Sequence, residues 1–154
     1  MTAAVAKIRK LFSNEVCRTA SVCLILSLSA AIAFSADYNQ TVTAKVLKKS
    51  TVTANGVKIA YPKTDRAEVT AMSVELAPGG QTGWHKHPVP VLAYVVSGQL
   101  TVEMEGGKTI SYGTGDAIIE VVDAWHNGKN TSDVPVQLAV FYLGVEETAN
   151  VVKR

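Results

Sequence analysis

Cysteine is nearly absent from this chain of 154 residues. Cys17 and Cys23 are its two cysteines, and none follows residue 23. The rest of the chain has no thiol, which excludes a disulfide scaffold and a cysteine nucleophile there. A fold built from these residues must be stabilised by its own hydrophobic core.

An excess of charge of either sign is also lacking. Residues 37–154 contain 11 Lys and Arg against 12 Asp and Glu, a net charge of −1. Domains that bind nucleic acid carry a basic patch or stripe, and this segment has none. We therefore expect no nucleic-acid partner.

A long run without charge occurs near the N terminus, from Ala20 to Ala36. Four basic residues precede it: Lys7, Arg9, Lys10 and Arg18. A basic region, an apolar region and small residues at its end are typical of a secretory signal. We predict that residues 1–36 are a signal peptide, that the mature chain begins between residues 34 and 37, and that the protein is periplasmic or extracellular. An uncleaved membrane anchor is the alternative, although this run of 17 residues with four serines is short for a span of about 20.

Sustained helical periodicity is missing after this leader. From Thr41 onward, short β-type segments alternate with glycine-rich turns, and Asn55-Gly56 and Gly106-Gly107 each have the position of a hairpin turn. About ten short strands at this spacing predict an all-β sandwich or barrel. The predicted parts are a leader (1–36), an arm with the first hairpin (37–60), a barrel (61–145) and a frayed C-terminal tail (146–154).

Apolar residues alternate with polar ones in two segments. One contains Met72, Val74 and Leu76, and the other contains Leu100, Val102 and Met104. Each pattern predicts a strand that buries one face. Val136 to Leu143 is almost continuously apolar, which predicts a strand covered on both faces.

Histidine is scarce, and its three occurrences form a pattern. His85 and His87 are two residues apart, and His126 follows much later. Side chains two residues apart on a strand point to the same face, so His85 and His87 can present two imidazoles to one ion, with His126 as a third ligand. We predict a divalent metal ion at this site, either Fe, Mn, Zn, Ni or Cu. The alternative is that all three are ordinary structural histidines.

The stretch from Gly79 to Asn130 resembles the two sequence motifs of the cupin superfamily, whose members are small double-stranded β-helix barrels. Positions of the first motif are occupied by Gly79, His85, His87 and Gly98, and positions of the second by Gly115, His126 and Asn130. Val91 stands where the first motif has a metal-binding Glu. Val121 and Asp123 replace the Pro and Gly of the second motif.

The resemblance implies the β-helix fold with His85, His87 and His126 as metal ligands. Because Val91 cannot coordinate, it also implies a three-histidine centre with up to three open positions, similar to thiol dioxygenases and diketone-cleaving enzymes. This favours an Fe(II) dioxygenase acting on a small chelating molecule. The alternatives are a non-catalytic periplasmic module that binds a metal or small ligand, and a Zn or Mn Lewis-acid isomerase or lyase. Cupins commonly pair through edge strands, so a homodimer is also expected, with residues 37–60 as the edge.

Glu120 is the candidate for replacing the missing carboxylate. It interrupts an apolar run shortly before His126, and a buried carboxylate needs a partner. We expect either a role at the metal, as a ligand or beside the ligands, or an outward position near a basic residue.

Other polar and aromatic residues near the motifs are expected to have structural roles. Glu103 and Glu105 fall on the polar side of their strand and should be solvated. Trp84 and Trp125 each precede a histidine and should therefore pack behind the ligands. Asn130 should bind backbone groups of its own loop.

Overall fold

The computed structural model of the protein describes residues 41–154, so the predicted signal peptide lies outside the described residues. These residues form nine β-strands and no helix, which confirms the all-β prediction. Within this part of the chain, no helix has the length and hydropathy needed to cross a membrane. The strands are β1 (Ala67–Leu76), β2 (His85–Lys86), β3 (Val91–Ser97), β4 (Gln99–Met104), β5 (Thr109–Gly113), β6 (Ala117–Ile119), β7 (His126–Lys129), β8 (Val136–Val145) and β9 (Val152–Lys153).

The strands form two antiparallel sheets with a shared core. One sheet has the order β1-β8-β3-β6, and the other has the order β5-β4-β7-β2-β9. Core side chains come from both sheets; Val95 and Val136 of the first lie in one cluster with Leu100 and Tyr112 of the second. Complete burial of one valine stabilises the fold by about 1.5–3 kcal/mol. The architecture is the barrel that the sequence predicts.

β8 differs from its prediction. It pairs with β1 on one side and β3 on the other, yet its residues alternate between buried and more exposed positions. Val136, Leu138, Val140 and Tyr142 point into the barrel, whereas Phe141 is exposed. The prediction of a strand covered on both faces is therefore wrong, because only one face of this sheet meets the other sheet.

The buried face predicted for β1 is correct in part. Leu76 is buried and Val74 is half-buried, but Met72 is 47% exposed. β1 is the edge of its sheet, so the side chains along it are covered from one flank alone. In β4, by contrast, Leu100 and Met104 are buried as predicted.

Two predicted hairpins are present. Val52 pairs with Lys58 around Asn55-Gly56, and β4 pairs with β5 around Gly106-Gly107. Gly98, a glycine of the first motif, separates β3 from β4 with a φ of +84°, and a Cβ there would lie 2.7 Å from the Pro135 carbonyl oxygen. Both the conformation and the space require glycine at this turn.

The C-terminal tail is part of the second sheet. Val152 pairs with Lys86 and Lys153 with His85, and the Arg154 amide donates a hydrogen bond to the Trp84 carbonyl. The prediction that residues 146–154 are frayed is therefore wrong. Backbone pairing holds the tail against β2, the strand that begins at His85. The polar sequence of the tail gives no indication of this pairing.

Candidate metal centre

Two neighbouring strands bring the three histidines together. His85 of β2 and His126 of β7 are direct register partners, and His87 directly follows β2. The distances between ring centroids are 4.3 Å for His85 and His126, 4.8 Å for His85 and His87, and 5.0 Å for His87 and His126. All three side chains are buried. The grouping predicted from their spacing is thus present in the fold.

Each imidazole is oriented by a backbone carbonyl. The Nδ1 atom of His85 lies 2.8 Å from the Gly83 oxygen, that of His87 lies 2.9 Å from the Asn150 oxygen, and that of His126 lies 2.9 Å from the Ala124 oxygen. A carbonyl only accepts, so each Nδ1 carries the hydrogen. A neutral ring with its hydrogen on Nδ1 has a free lone pair on Nε2. Histidines that bind a metal through Nε2 have this tautomer.

The three histidines fit a metal ion. Their candidate ligand atoms all lie within 4.8 Å of one another. Among the buried side-chain atoms of residues 41–154, Nε2 of a neutral His126 finds no hydrogen-bond donor. A buried nitrogen without a partner is costly unless something binds it. Nitrogen donors of this kind suit first-row transition metals.

The Glu120 carboxylate lies beside the Nε2 atoms of His87 and His126. Its Oε2 atom lies 3.3 Å from His87 Nε2 and 3.3 Å from His126 Nε2. The sequence left open whether this side chain faces the histidines or solvent, and the structure turns it inward. Whether the metal centre uses the three histidines alone, as Val91 led us to expect, or also this carboxylate stays a prediction.

Charge is unevenly distributed within this cluster. Burial opposes ionisation of Glu120, but contacts with His126 and His87 outweigh it and lower the pKa of Glu120 to about 2. Burial is the largest single influence and lowers the pKa of His126, but the hydrogen bonds to Glu120 and to the Ala124 carbonyl, together with the Glu120 charge, raise it overall. For His85, burial dominates and lowers the pKa. Without a metal, a proton is therefore held best between Glu120 and His126.

The histidines line a small cavity of about 60 Å³ inside the barrel. Its other walls are mostly apolar and include Val74, Val102, Leu138, Val140 and Tyr142. The Tyr142 ring packs edge-on to His87, with 5.4 Å between ring centroids. Glu120 also borders a larger cavity of about 340 Å³, which lies between the arm and strands β3 and β6.

The remaining predicted residues lie outside the cluster. Glu103 pairs with Lys129 and Glu105 with Arg154, so neither approaches the histidines. Lys86 and Arg154 pack against the Trp125 ring, away from the cavity. Asn130 binds the Val134 carbonyl of its own loop, as predicted, and also the carbonyls of Leu76 and Ala77 in a distant part of the chain.

Two supporting residues were not found from the sequence. Asn150 contributes its backbone oxygen to His87 from the tail, and a backbone contact leaves no trace in residue type. Thr82 Oγ1 accepts from the Gly128 amide at 2.9 Å and lies 3.3 Å from His85 Nδ1. In the sequence, Thr82 is distinguished only by its position three residues before His85.

Metal affinity is expected to fall as the pH is lowered, and to begin falling above the ordinary histidine pKa of about 6.5. The raised pKa of His126 means that its proton competes with the metal from a higher pH, at a cost of up to about tenfold per pH unit. Titration with Co²⁺ across pH measures this. Glu120→Gln removes the charge that raises the His126 pKa, so the onset should move to lower pH. If metal affinity began to fall at the same pH in Glu120→Gln as in the wild type, the effect of Glu120 on the His126 pKa would be refuted.

Comparisons with known proteins place the barrel in a family. Residues 72–142 match the family described as a cupin domain. No curated protein gives a match to the chain. Among solved structures, the DMSP lyase DddQ from Ruegeria pomeroyi is 27% identical, with 55% of this chain and 42% of that chain covered and a TM-score of 0.48.

Two further structures are similar to this chain. Oxalate decarboxylase from Lactobacillus farciminis is 23% identical, with 55% and 26% of the two chains covered and a TM-score of 0.49. A sugar phosphate isomerase from Silicibacter pomeroyi is 22% identical, with 50% and 51% covered and a TM-score of 0.45. The chain thus spans about half or less of each of these proteins. Together with the two-sheet barrel, the family match and the buried histidine cluster lead to one conclusion: residues 72–142 form a cupin domain.

Proposed function

We propose that the protein binds one divalent first-row transition metal ion through Nε2 of His85, His87 and His126. The observation that carries this proposal is the set of three Nδ1 contacts to backbone carbonyls. They fix the tautomer of all three rings before any ion arrives, so little ordering is left for the binding step. Fe, Mn, Zn, Ni and Cu are all compatible with this donor set.

The activity we propose is that of an Fe(II) dioxygenase acting on a small chelating molecule. A bound ion would supply Lewis acidity and, in the case of iron, reactivity toward O₂. The chain's own residues hold the ion, exclude bulk water through the apolar walls and limit the size of the ligand. A cavity of about 60 Å³ takes only a few heavy atoms, since one water needs at least about 10–15 Å³ on this scale.

A Lewis-acid isomerase or lyase is the second candidate, and the position of Glu120 favours it. A carboxylate that lies beside the metal site without being needed as a ligand can take a proton from a bound molecule or return one. Any part of a substrate too large for the inner cavity has room in the cavity of about 340 Å³ that Glu120 also borders. A non-catalytic metal or ligand carrier would share the histidines but need no such proton acceptor.

The decisive experiment uses the untagged protein, because a histidine tag would bind metal itself. Mass spectrometry identifies the bound metal, and an oxygen electrode follows O₂ uptake with small thiols and diketones. One ion per chain with O₂ consumption supports the dioxygenase. One ion per chain without O₂ consumption favours the Lewis-acid or carrier function. A protein that neither carries nor takes up metal rules out the proposal.

We also propose that the protein is exported, on the sequence of residues 1–36 alone. Fractionation of cells and sequencing of the mature N terminus test this proposal and distinguish a cleaved signal from an anchor. The homodimer stays a prediction as well. Val69, Leu92, Val96 and Phe141 are exposed apolar side chains of the first sheet, a surface compatible with self-association.

A further inference from the structure

Position 91 and position 120 are neighbours on adjacent strands. Leu92 of β3 is the register partner of Ile119 of β6, and one residue further along, the Glu120 amide donates a hydrogen bond of 2.9 Å to the Val91 carbonyl. Residues opposite each other in an antiparallel pair direct their side chains to the same face. A side chain at either position therefore enters the same part of the barrel.

That shared direction is inward. Val91 is 1% exposed and is the register partner of Tyr142, which lines the histidine cavity. Glu120 lines the same cavity. The position that holds a carboxylate in the first cupin motif is apolar here, and the carboxylate stands on the strand next to it.

When the imidazoles are neutral and Glu120 is ionised, the atoms at the centre of the cluster are all hydrogen-bond acceptors. His87 and His126 each use the Nδ1 hydrogen for a backbone carbonyl, so their Nε2 lone pairs face the Glu120 oxygen at 3.3 Å. Acceptors at this distance repel each other unless a proton or a metal ion lies among them. Adjacent ligands of one ion at about 2.1 Å are about 3.0 Å apart, which is close to the observed separation.

We propose that Glu120 is the fourth metal ligand, supplied by the strand beside the usual position. This inference rests on the proposed metal binding by the three histidines. The carboxylate reduces the charge of the loaded site from +2 to +1 and leaves two open positions, rather than three, on a six-coordinate ion. Such a site accepts one bidentate ligand, or one monodentate ligand with O₂.

The first test compares Co²⁺ binding by the wild type and Glu120→Gln, measured by competition with a chelator and by the visible absorption of the bound ion. Loss of a ligand carboxylate should weaken affinity by more than about 100-fold, beyond the loss of about 10–100-fold expected for a residue that only supports a ligand, and it should change the absorption spectrum, because the set of donor atoms changes. Glu103→Gln is the matched control, since Glu103 pairs with Lys129 away from the site. It should leave affinity and spectrum unaltered.

The second test moves the carboxylate from position 120 to position 91, where the first cupin motif has it. Glu120→Val should weaken Co²⁺ binding, and the addition of Val91→Glu to this variant should restore most of the affinity. Melting curves show whether each variant is folded. If the folded double variant binds no better than Glu120→Val alone, the equivalence of the two positions is refuted.

The outcomes separate this inference from the proposed function. Unchanged affinity and spectrum in Glu120→Gln, with metal binding still dependent on the histidines, would overturn the role of Glu120 and leave the three-histidine site standing. Failure of the wild type to bind Co²⁺ at all would overturn both.

Discussion

Metal binding should be reduced by more than about 100-fold in His126→Ala, because even loss of a group that only supports a ligand costs about 10–100-fold. His126 joins β7 to β2 at the centre of the site and contacts Glu120. Its removal leaves two imidazoles on one short segment and the Glu120 carboxylate, so the site loses one of its donors and the link between β7 and β2. Metal content after purification and Co²⁺ competition titration both measure the effect.

Trp125→Phe is the control for this substitution. Trp125 precedes His126 directly, but its ring packs with Lys86 and Arg154 outside the cavity. Its metal content should match that of the wild type. If folded His126→Ala retained a full equivalent of metal, the ion would be bound elsewhere in the chain.

The largest effect on stability is expected for Asn130→Ala. Asn130 is 1% exposed, and its Nδ2 lies within hydrogen-bond distance of the carbonyls of Leu76, Ala77 and Val134. Its Oδ1 accepts from the amide and hydroxyl of Ser132. Alanine removes all of these bonds, including the buried one to the Leu76 carbonyl, which should lower the free energy of unfolding by about 2–4 kcal/mol. Urea unfolding at neutral pH measures the loss.

Ser132→Ala separates the role of Asn130 from general sensitivity of this loop. It removes one hydroxyl that donates to Asn130 but leaves the three carbonyl contacts in place. Its effect should stay below about 1.5 kcal/mol. Similar losses in both variants would mean that the loop, rather than the Asn130 network, determines stability.

The pair His85 and His87 was predictable because its geometry is local, whereas His126 was placed beside it by the resemblance to the cupin motifs. The side-chain period of a strand puts His85 and His87 on one face, and the pairing of β2 with β7 adds His126. The local part of the Asn130 network, with Ser132 and Val134, was predictable for a similar reason. Its bonds to the carbonyls of Leu76 and Ala77 join distant parts of the chain and were not.

The placement of Glu120 and of the tail depends on pairing between distant strands. Glu120 follows a strand of three residues, too short for alternation to determine its face. Its direction is set by the register with β3. Exposure of Met72 has the same origin, because the edge position of β1 is a property of the whole sheet. Sequence patterns identify faces of strands but do not identify their neighbours.

The pairing of the tail has a consequence for the order in which the protein is made. The carbonyl that orients His87 belongs to Asn150, 63 residues later in the chain, and His85 pairs with Lys153. Synthesis proceeds from the N terminus, so His85 and His87 are made well before the residues that fix them. An incomplete chain therefore lacks the contacts that orient these two imidazoles, and the proposed metal site is completed when the last strand, β9, has docked.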